Sequence, residues 1–523
     1  MKFNPNRLWI VAILLGWIFD FLFWKQETGF NFALFSTLCL LGGFGLLLAD
    51  GFRPARKSLW LLLPFAFFAV IAFLRQEPLT IFLAYTFAIF SVGVLASTYL
   101  GGRWIRYSLA DYLRNFFQLI GSMLWRGFVF YRDVNKEQAG AKKPFLIWAV
   151  LRGLLIALPI VLCFGSLLAS ADVIFNQIIA RIFEDFNPGE EILQALIILA
   201  CAYLLVGVFL HTASHSRDEK LLGEEQPLVK QFLGFTESSI VLGSVAVLFL
   251  IFVVIQFQYF FGGQTNIGVE GFTYSQYARR GFNELITVAF FSLVMILSLG
   301  SFTRRENETE RRAYSALSVV IVAEVMVILV SAFQRINLAI DWHGYSRLRL
   351  YPQIFLVWLG LLLIVVAALE VLRRERYLAF AAALASIGFA VSLSVFNVDA
   401  SIVTHNLERV AQGKNLNVPH LASLSADAVP ALVEKFNDPF LPTDVHEGVG
   451  AILVCYVYSI RPDKELDWRS FNLSNWQARE SLQQIQPQLT TYRYNDKKGP
   501  PRIRTPNNVL YECVEDSNAD AAD

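Results

Sequence analysis

The chain has 523 residues, of which 55% are hydrophobic and only 17% are charged. Soluble domains carry about a quarter charged residues, so this composition excludes an ordinary soluble protein. The net charge of +1 gives no sign of a nucleic-acid partner, and five cysteines exclude a disulfide-dense scaffold.

Apolar stretches suited to crossing a membrane fill the chain up to Phe396. A bilayer core about 30 Å thick needs about twenty apolar residues, each rising about 1.5 Å along a helix. The sequence therefore predicts an all-α, polytopic transmembrane bundle of eleven spans near 8–24, 30–49, 59–74, 79–100, 145–169, 192–213, 236–261, 282–302, 313–335, 351–372 and 378–396.

The chain divides into four segments by polarity. Residues 1–100 hold four predicted transmembrane helices, and a polar, cytoplasmic segment follows at 101–144. Residues 145–396 hold a core of seven further spans, and 397–523 form a polar C-terminal tail. Periodic patterns predict that the tail is a small helical domain, with helices near 399–411, 425–436, 444–460 and 474–487 and an extended arm at 495–508.

The distribution of basic residues predicts the orientation of the chain. With the N-terminus in the cytoplasm, the cytoplasmic segments hold twenty-three Lys and Arg residues, and the outer loops hold eight. Short cytoplasmic loops carry an excess of basic residues, so the imbalance favours this orientation in the inner (plasma) membrane. Eleven spans then place the tail outside the cytoplasm, whereas a miscount of one span would place it inside.

The segment at 101–144 contains an apolar stripe at helical spacing. Arg103, Asp111, Arg114 and Gln118 fall elsewhere on the same predicted helix, and the stripe consists of Ile105, Leu109, Leu113, Phe116, Ile120 and Leu124. This pattern predicts an amphipathic helix, which either lies in the inner membrane interface or packs under the bundle.

Ionisable residues inside spans are costly, and they are candidates for function. Glu324 lies near the middle of the ninth predicted span, and Arg152 is the comparable cation in the fifth. We expect either that these two side chains pair, or that burial keeps Glu324 protonated. A structural role is favoured over proton or ion coupling.

The outer loops combine aromatic residues with arginines, against the charge rule. Arg guanidinium groups bind carboxylates or phosphates through two parallel hydrogen bonds. One interpretation is an outer-face site for an anionic group, and the other is internal pairing that holds loops and tail together. The candidate residues are Arg279, Arg280, Glu284, Asp341, His343, Arg347, Arg349 and Asp399.

Two interpretations of the tail cysteines stay open. In the first, Cys455 and Cys513 form a disulfide bond in an oxidising compartment. In the second, Cys455 is a free cysteine that packs as a small apolar residue in the stripe of its helix.

Five stretches of the chain are similar to an uncharacterised bacterial membrane family, domain of unknown function 4173 and its relative 4153. The segment at 397–399 reads Asn-Val-Asp where the family is expected to have Asn-Pro-Asp. The family has no established activity, so the resemblance implies architecture and not chemistry. The stretches are LASADVIF at 168–175, YARRGFNEL at 277–285, YSRLR at 345–349, NVDASI at 397–402 and LSADAVPAL at 424–432.

Three classes of function are compatible with the sequence. The favoured one is a non-enzymatic envelope scaffold, sensor or accessory protein, in contact with membrane lipid and, through its tail, with other envelope proteins. The alternatives are a transporter that uses Glu324 and Arg152, and a transferase for lipid-linked substrates at the outer face. No catalytic residue, cofactor or metal site is predicted, because no motif with a known mechanism occurs.

Overall fold

The computed structural model describes residues 4–138, 190–217, 221–222, 231–261, 282–461, 467–495 and 501–513, and isolated positions between 153 and 172. Within these ranges the chain is almost wholly helical. Up to Phe396 the helices are α1 (Pro5–Phe23), α2 (Phe30–Ala49), α3 (Leu62–Leu74), α4 (Pro78–Thr98), α5 (Leu109–Gln138), α6 (Glu190–His215), α7 (Phe235–Phe261), α8 (Phe282–Phe302), α9 (Glu308–His343), α10 (Arg347–Val371) and α11 (Leu378–Phe396).

The described helices confirm the prediction of an all-α, multi-pass membrane protein. Nine of them are long and apolar enough to cross a membrane, and the segment Ser58–Leu74, which contains α3, is apolar but shorter. These ten segments match ten of the eleven predicted spans. The predicted span at 145–169 lies almost entirely outside the described residues.

The bundle packs as three groups of helices around separate apolar cores. α1, α2 and α6 enclose the first, which includes Leu8 and Val206. α7 to α10 enclose the second, which includes Ile321 and Leu363. α3, α4 and α11 contribute most of the third, around the fully buried Phe68. Apolar side chains that face outward from these cores suit a bundle surrounded by lipid.

The two ends of the bundle carry different sets of loops. We call the end that contacts the tail the tail-side end, and the other the opposite end. Hydrogen bonds at the tail-side end are Phe30 N to Phe471 O (2.8 Å), Ser474 Oγ to Leu74 O (2.8 Å) and Tyr345 N to Asn406 Oδ1 (2.8 Å). At the opposite end they are Ala55 N to Tyr99 O (2.7 Å), Gly101 N to Ser216 O (2.8 Å) and Arg305 Nη1 to Glu370 Oε1 (2.5 Å).

The tail folds around an apolar core that includes Ile402, Leu432, Ile452 and Leu482 and that continues into the bundle at Leu393. Four of its five helices lie at the predicted positions, and the short helix at Val418–Ala422 was not predicted. Strands β1 to β3 form an antiparallel sheet in sequence order. The elements are α12 (Val398–Ala411), α13 (Val418–Ala422), α14 (Val429–Phe436), α15 (Thr443–Ile460), α16 (Leu473–Ile485), β1 (Arg493–Asn495), β2 (Arg502–Arg504) and β3 (Leu510–Glu512).

The sheet replaces part of the predicted extended arm at 495–508. Ile503 is fully buried in the tail core, and it stands opposite Tyr494 on one side and Tyr511 on the other. Strands of three residues give too little alternation to detect in a sequence, so pairing to neighbouring strands and burial of Ile503 decide this structure.

α5 is amphipathic, and its apolar stripe faces away from the described protein. It begins at Leu109, so Arg103 and Ile105, which were predicted to lie on the same helix, come before it. Leu109, Leu113, Phe116 and Leu124 are exposed, whereas Asp111 is fully buried and accepts a hydrogen bond from Leu222 N at 2.9 Å. The polar side of α5 packs along α6. An exposed apolar stripe favours contact with lipid over packing under the bundle.

Candidate functional site

Polar side chains from both the bundle and the tail meet at the tail-side end. We call this cluster the junction network and define it as Arg75, Glu77, Arg347, Tyr351, Asp399, Ser425, Asp427 and Ser474. The members come from the α3–α4 loop, the start of α10, the start of α12, the turn before α14 and the start of α16. Apart from Tyr351, which lies in the second turn of α10, these positions are helix ends or loops, where backbone groups need partners.

A sharp turn between α11 and α12 places Asp399 in the network. Asn397 has a left-handed φ of 43° and caps α12 by accepting a hydrogen bond from Ala400 N at 3.2 Å. Asn tolerates this conformation better than most residues. Asp399 consequently lies in the first turn of α12, where the helix dipole favours a negative charge.

Asp399 is fully buried and joins α12 to α10. Arg347 Nε donates to Oδ1 at 2.8 Å, and Arg347 Nη2 donates to Oδ2 at 2.5 Å. The backbone N–H of Ser425 donates to Asp399 Oδ2 at 2.8 Å, and the Ser425 hydroxyl donates to the same oxygen at 2.6 Å. A bidentate Arg–carboxylate pair is a strong and directional contact, so it fixes the tail relative to the bundle.

Asp427 is the second buried carboxylate, and it joins the tail to the α3–α4 loop. Its side chain is 1% exposed, and Arg75 Nη1 lies 3.7 Å from Oδ1. Gln76 N donates to Oδ2 at 2.6 Å, and Ser474 Oγ donates to Oδ1. Arg75 Nε also donates to Ser394 O at 3.0 Å, so this arginine connects α11 as well.

Glu77 is the third buried carboxylate. It caps α4 by accepting from Leu79 N at 2.8 Å and Thr80 N at 2.7 Å. Tyr351 of α10 donates its hydroxyl hydrogen to the same carboxylate. Pro78 at the first helical position completes a favourable start for α4.

The arrangement holds the charges of the three carboxylates in place. Both oxygens of Asp399, Asp427 and Glu77 accept hydrogen bonds from protein groups. Burial raises the pKa of the nearby Tyr456, and the Asp399 carboxylate adds to this shift. Tyr456 therefore stays neutral and donates to Leu421 O at 3.1 Å. Among the described residues, no group of three or more His, Cys, Asp or Glu side chains is suited to a metal ion.

The structure brings only part of the predicted outer-face site together. Arg347 and Asp399 pair, as the interpretation of internal pairing expected. Arg349 lies two residues further along α10 and donates to Gly344 O at 2.8 Å. Glu284 is exposed in the first turn of α8. Arg279 and Arg280 lie outside the described residues.

Asp341 and His343 are exposed in the last turn of α9. α9 has 36 residues, so it is about 54 Å long and extends well beyond a membrane core of about 30 Å. Its projecting end runs beside α12, where Arg409 donates to Asp341 O at 2.6 Å. Asp341 thus contacts the tail through its backbone carbonyl, whereas His343 Nδ1 lies 3.3 Å from Ala339 O of its own helix.

Arg75, Glu77 and Asp427 were not among the predicted site residues. Arg75 and Glu77 look like ordinary loop residues in sequence, although Glu-Pro at 77–78 is a pattern typical of a helix start. Asp427 lies inside the family-like stretch at 424–432, which was a usable signal. No local pattern indicates that these residues approach a tail more than 300 positions away, as Gln76 and Asp427 do.

The predicted intramembrane pair falls partly outside the described residues. Arg152 is not described. Glu324 is half-buried in the middle of α9, and its Oε2 is buried without a hydrogen-bond partner in the part of the chain that is described. The pairing of Arg152 with Glu324 therefore stays a prediction.

The two tail cysteines form a disulfide. Cys455 of α15 is bonded to Cys513, which follows β3, across a separation of 58 residues. The bond ties the last strand of the sheet to the central helix of the tail.

The comparison with protein families identifies the family to which the chain belongs. The profile of the family described as Domain of unknown function (DUF4153) matches residues 62–435, which is more than half of the 523 residues. The chain belongs to this family. The match is to the relative 4153 rather than to 4173, and it spans α3 to α14, including Arg75, Arg347, Asp399 and Asp427. Comparisons with curated proteins and with solved structures find no match.

Proposed function

We propose that the protein is a non-enzymatic envelope scaffold, sensor or accessory protein, and that the junction network holds its tail as a rigid platform on the membrane bundle. The observation that carries this proposal is the saturation of Asp399 and Asp427 by donors from α10, the α3–α4 loop and the tail. A site built for catalysis or transport keeps at least one reactive group open to its substrate.

The tail presents one strongly exposed apolar side chain. α14 starts two residues after Asp427 and leads about 12 Å away to a loop in which Phe440 is 91% exposed. Phe440 has the largest exposed fraction of any large apolar side chain in the described residues. Phe440 is therefore the centre of the surface that we assign to envelope partners.

We further propose that the tail lies outside the cytoplasm. The Cys455–Cys513 disulfide supports this orientation, because structural disulfides persist in oxidising compartments. The basic loops at 53–57, 103–106 and 373–376 all lie at the opposite end, which supports the same orientation through the charge rule.

Site-specific photo-crosslinking in intact cells tests the scaffold proposal. A photoreactive phenylalanine analogue at position 440 is expected to crosslink to proteins with extracytoplasmic domains. The same probe in an Arg347→Ala background is expected to lose these products, since the platform is no longer held. An Arg373→Ala background is the control, because Arg373 pairs with Glu308 at an exposed position. Identical products in all three backgrounds, or products from cytoplasmic proteins alone, contradict the proposal.

A transporter is the second candidate, and the unpartnered Oε2 of Glu324 among the described residues favours it. A buried carboxyl group in the middle of a span is a typical site of proton or ion coupling. If the protein is a transporter, solutes that raise the melting temperature of the wild type lose this effect in Glu324→Gln. Unchanged solute responses in the variant exclude this role for Glu324.

A transferase for lipid-linked substrates has less support. The buried carboxylates at the tail-side end are already occupied by protein donors, and the first tail-side loop at 24–29 is short. Polyprenyl phosphate that remains bound to the purified protein is the result that would restore this candidate.

A further inference from the structure

A short segment of the tail covers the ends of three membrane helices at the tail-side end. It runs from residue 468 to residue 476, and we call it the capping segment. It starts with the 3₁₀ turn Trp468–Ser470 and ends in the first turn of α16. The capping segment contacts the end of α1, the start of α2 and the end of α3, where backbone groups have no partner within their own helix.

Arg469 attaches the capping segment to the end of α1. Its Nη1 donates to Phe21 O at 2.6 Å, and its guanidinium carbon lies 5.2 Å from the centre of the Phe21 ring. Arg469 Nε also donates to Asp467 Oδ1 at 3.0 Å, which orients the guanidinium group. A cation is favourable beside the last carbonyls of a helix, so this contact stabilises the end of α1.

The middle of the capping segment contacts the start of α2. Phe30 N donates to Phe471 O at 2.8 Å, so one of the first N–H groups of α2 has its partner in the tail. A Cβ on the preceding Gly29 would lie only 2.6 Å from Phe471 O. Glycine at this position therefore allows the two backbones to approach closely.

The last part of the capping segment contacts the end of α3. Ser474 Oγ donates to Leu74 O at 2.8 Å, and Asn472 Nδ2 donates to Arg75 O at 2.9 Å. Leu74 is the last residue of α3, and Ser474 is the second residue of α16. α16 therefore starts at the level at which α3 ends.

The position of the capping segment relative to the membrane follows from α1. This helix has 19 residues and is about 28 Å long, close to a membrane core of about 30 Å. The exposed ion pair of Lys25 with Glu190, with 2.7 Å between Nζ and Oε1, lies just beyond the end of α1 and marks the polar side of the boundary. The contact with Phe21 lies one helical turn before Lys25, so the capping segment lies at the edge of the membrane core.

Two tryptophans of the capping segment are exposed at this level. Trp468 is 53% exposed, and its ring centre lies 6.4 Å from that of Phe21, which is exposed on α1. Trp476 is 48% exposed and follows Ser474 by two residues. Trp468 thus continues the exposed apolar surface of a membrane helix into the tail.

The large apolar side chain on the exposed face of α16 lies at the end of the helix that contacts the bundle. Trp476 is the fourth residue of α16, and the next positions on the same face, Glu480 and Gln484, are polar and exposed. An indole ring combines a large apolar surface with one N–H donor. Trp is for this reason enriched at the level of lipid headgroups.

We propose that the capping segment binds the lipid bilayer, with the indole rings of Trp468 and Trp476 in the headgroup region of the leaflet on the tail side. The partner is the phospholipid surface and not another protein. This contact does not depend on the scaffold function, on the partner surface at Phe440 or on which compartment contains the tail.

Photo-crosslinking of the full chain in phosphatidylcholine nanodiscs tests this contact. A photoreactive phenylalanine analogue replaces Trp468 or Trp476, and mass spectrometry of the intact protein detects the products after irradiation. Tyr458 is the matched control position, because its exposed fraction is 49%. Its ring stacks on Tyr494 at 3.6 Å between centres, and Tyr494 follows the far end of α16, about 20 Å along this helix of 13 residues.

At positions 468 and 476, the protein is expected to gain the mass of one phosphatidylcholine molecule. At position 458, no such product is expected. The proposal is overturned if the lipid product is absent from either position of the capping segment, or if it is equally abundant at position 458. Crosslinks to a second copy of the chain in place of lipid also overturn it, because they assign the two tryptophans to a protein interface.

A second measurement keeps the test valid if the photoreactive variants do not fold stably. Phosphatidylcholine with bromine atoms on acyl carbons close to the headgroup quenches tryptophans at that depth. Trp468→Phe/Trp476→Phe removes two of the eleven tryptophans of the chain. The fraction of tryptophan fluorescence that the brominated lipid quenches is expected to be lower in this variant than in the wild type. An equal or larger quenched fraction in the variant contradicts the proposal, because the two tryptophans then lie away from the lipid.

Discussion

At the residue scale, the burial of an ion pair decides how much its charged residues contribute to the stability of the fold. Asp399 is fully buried, with Arg347 as its bidentate partner, whereas the side chains of Arg373 and Glu308 are 50% and 58% exposed. Removing one partner of a buried pair leaves the other charge without compensation in a medium of low polarity. An exposed pair loses little, since water replaces the missing partner.

We therefore expect Arg347→Ala to lower the free energy of unfolding by about 3–5 kcal/mol. The matched variant Arg373→Ala is expected to lower it by about 1 kcal/mol or less. Chemical denaturation of the purified protein in detergent, followed through the tail, measures both values. Similar losses in the two variants would show that the Arg347–Asp399 pair does not hold the tail.

A second prediction at this scale concerns alkaline pH. Burial raises the pKa of Tyr492 to about 12, and the nearby Glu447 adds to the shift. The folded state thus keeps Tyr492 neutral while the unfolded state ionises near pH 10. This contribution to stability is complete below about pH 10 and is lost as the pH rises towards about 12.

Thermal unfolding between about pH 9 and pH 12 tests this expectation, and Tyr492→Phe is the control. The variant lacks the ionisable hydroxyl, so its melting temperature is expected to fall less steeply over this interval. Parallel curves for the two proteins would contradict the assignment.

At the element scale, the close approach of α5 and α6 explains why an amphipathic helix stays attached to the bundle. A Cβ on Gly207 of α6 would lie 2.5 Å from Met123 Cα and 2.6 Å from Ser122 O of α5. Glycine at this point allows the two backbones to touch. The polar side of α5 adds specific contacts, including Ser122 Oγ to His211 Nδ1 at 2.8 Å.

Gly207→Ala is accordingly expected to separate the helices and to lower the free energy of unfolding by about 1–3 kcal/mol through overpacking. Gly243 of α7 is the matched control, because a Cβ at this position would meet no described atom within 4 Å. Gly243→Ala should leave stability unchanged or slightly higher, since alanine favours a helix. Chemical denaturation measures the free energy of unfolding of both variants, and the rate of proteolysis of the α5 segment is a second readout of helix separation.

Another prediction at the element scale concerns the stability that the Cys455–Cys513 disulfide gives to the tail. Closing a loop of 58 residues is expected to stabilise the tail by about 2–4 kcal/mol. Cys455→Ala, Cys513→Ala and the double variant are expected to lose similar amounts, because all three remove the same bond. Additive losses in a denaturation series would indicate that the cysteines contribute separately.

At the scale of the whole molecule, one expectation concerns sidedness. Alkaline phosphatase is active only outside the cytoplasm, so its fusion after Phe396 is expected to be active. The same reporter fused after Gly101, at the opposite end, is expected to be inactive. An inactive fusion after Phe396 together with an active one after Gly101 would reverse the orientation and place the tail in the cytoplasm.

Much of the architecture follows from local sequence. Apolar length alone predicts ten of the described segments, because a helix in lipid must satisfy its backbone internally over the thickness of the bilayer. The tail helices follow from periodic stripes such as Val449, Ile452 and Tyr456. The pairing of Arg347 with Asp399 was one of two interpretations, and complementary charges alone do not choose between an internal partner and a ligand.

By itself, the sequence thus determined that the chain is a helical, multi-pass membrane protein with a folded tail, because hydrophobic length and periodicity are local properties. Only the tertiary structure decided that Arg75 and Glu77 join the same network as Asp427, and that Ile503 pairs within a sheet. These contacts depend on which helix ends meet, and that is set by packing between residues far apart in the chain.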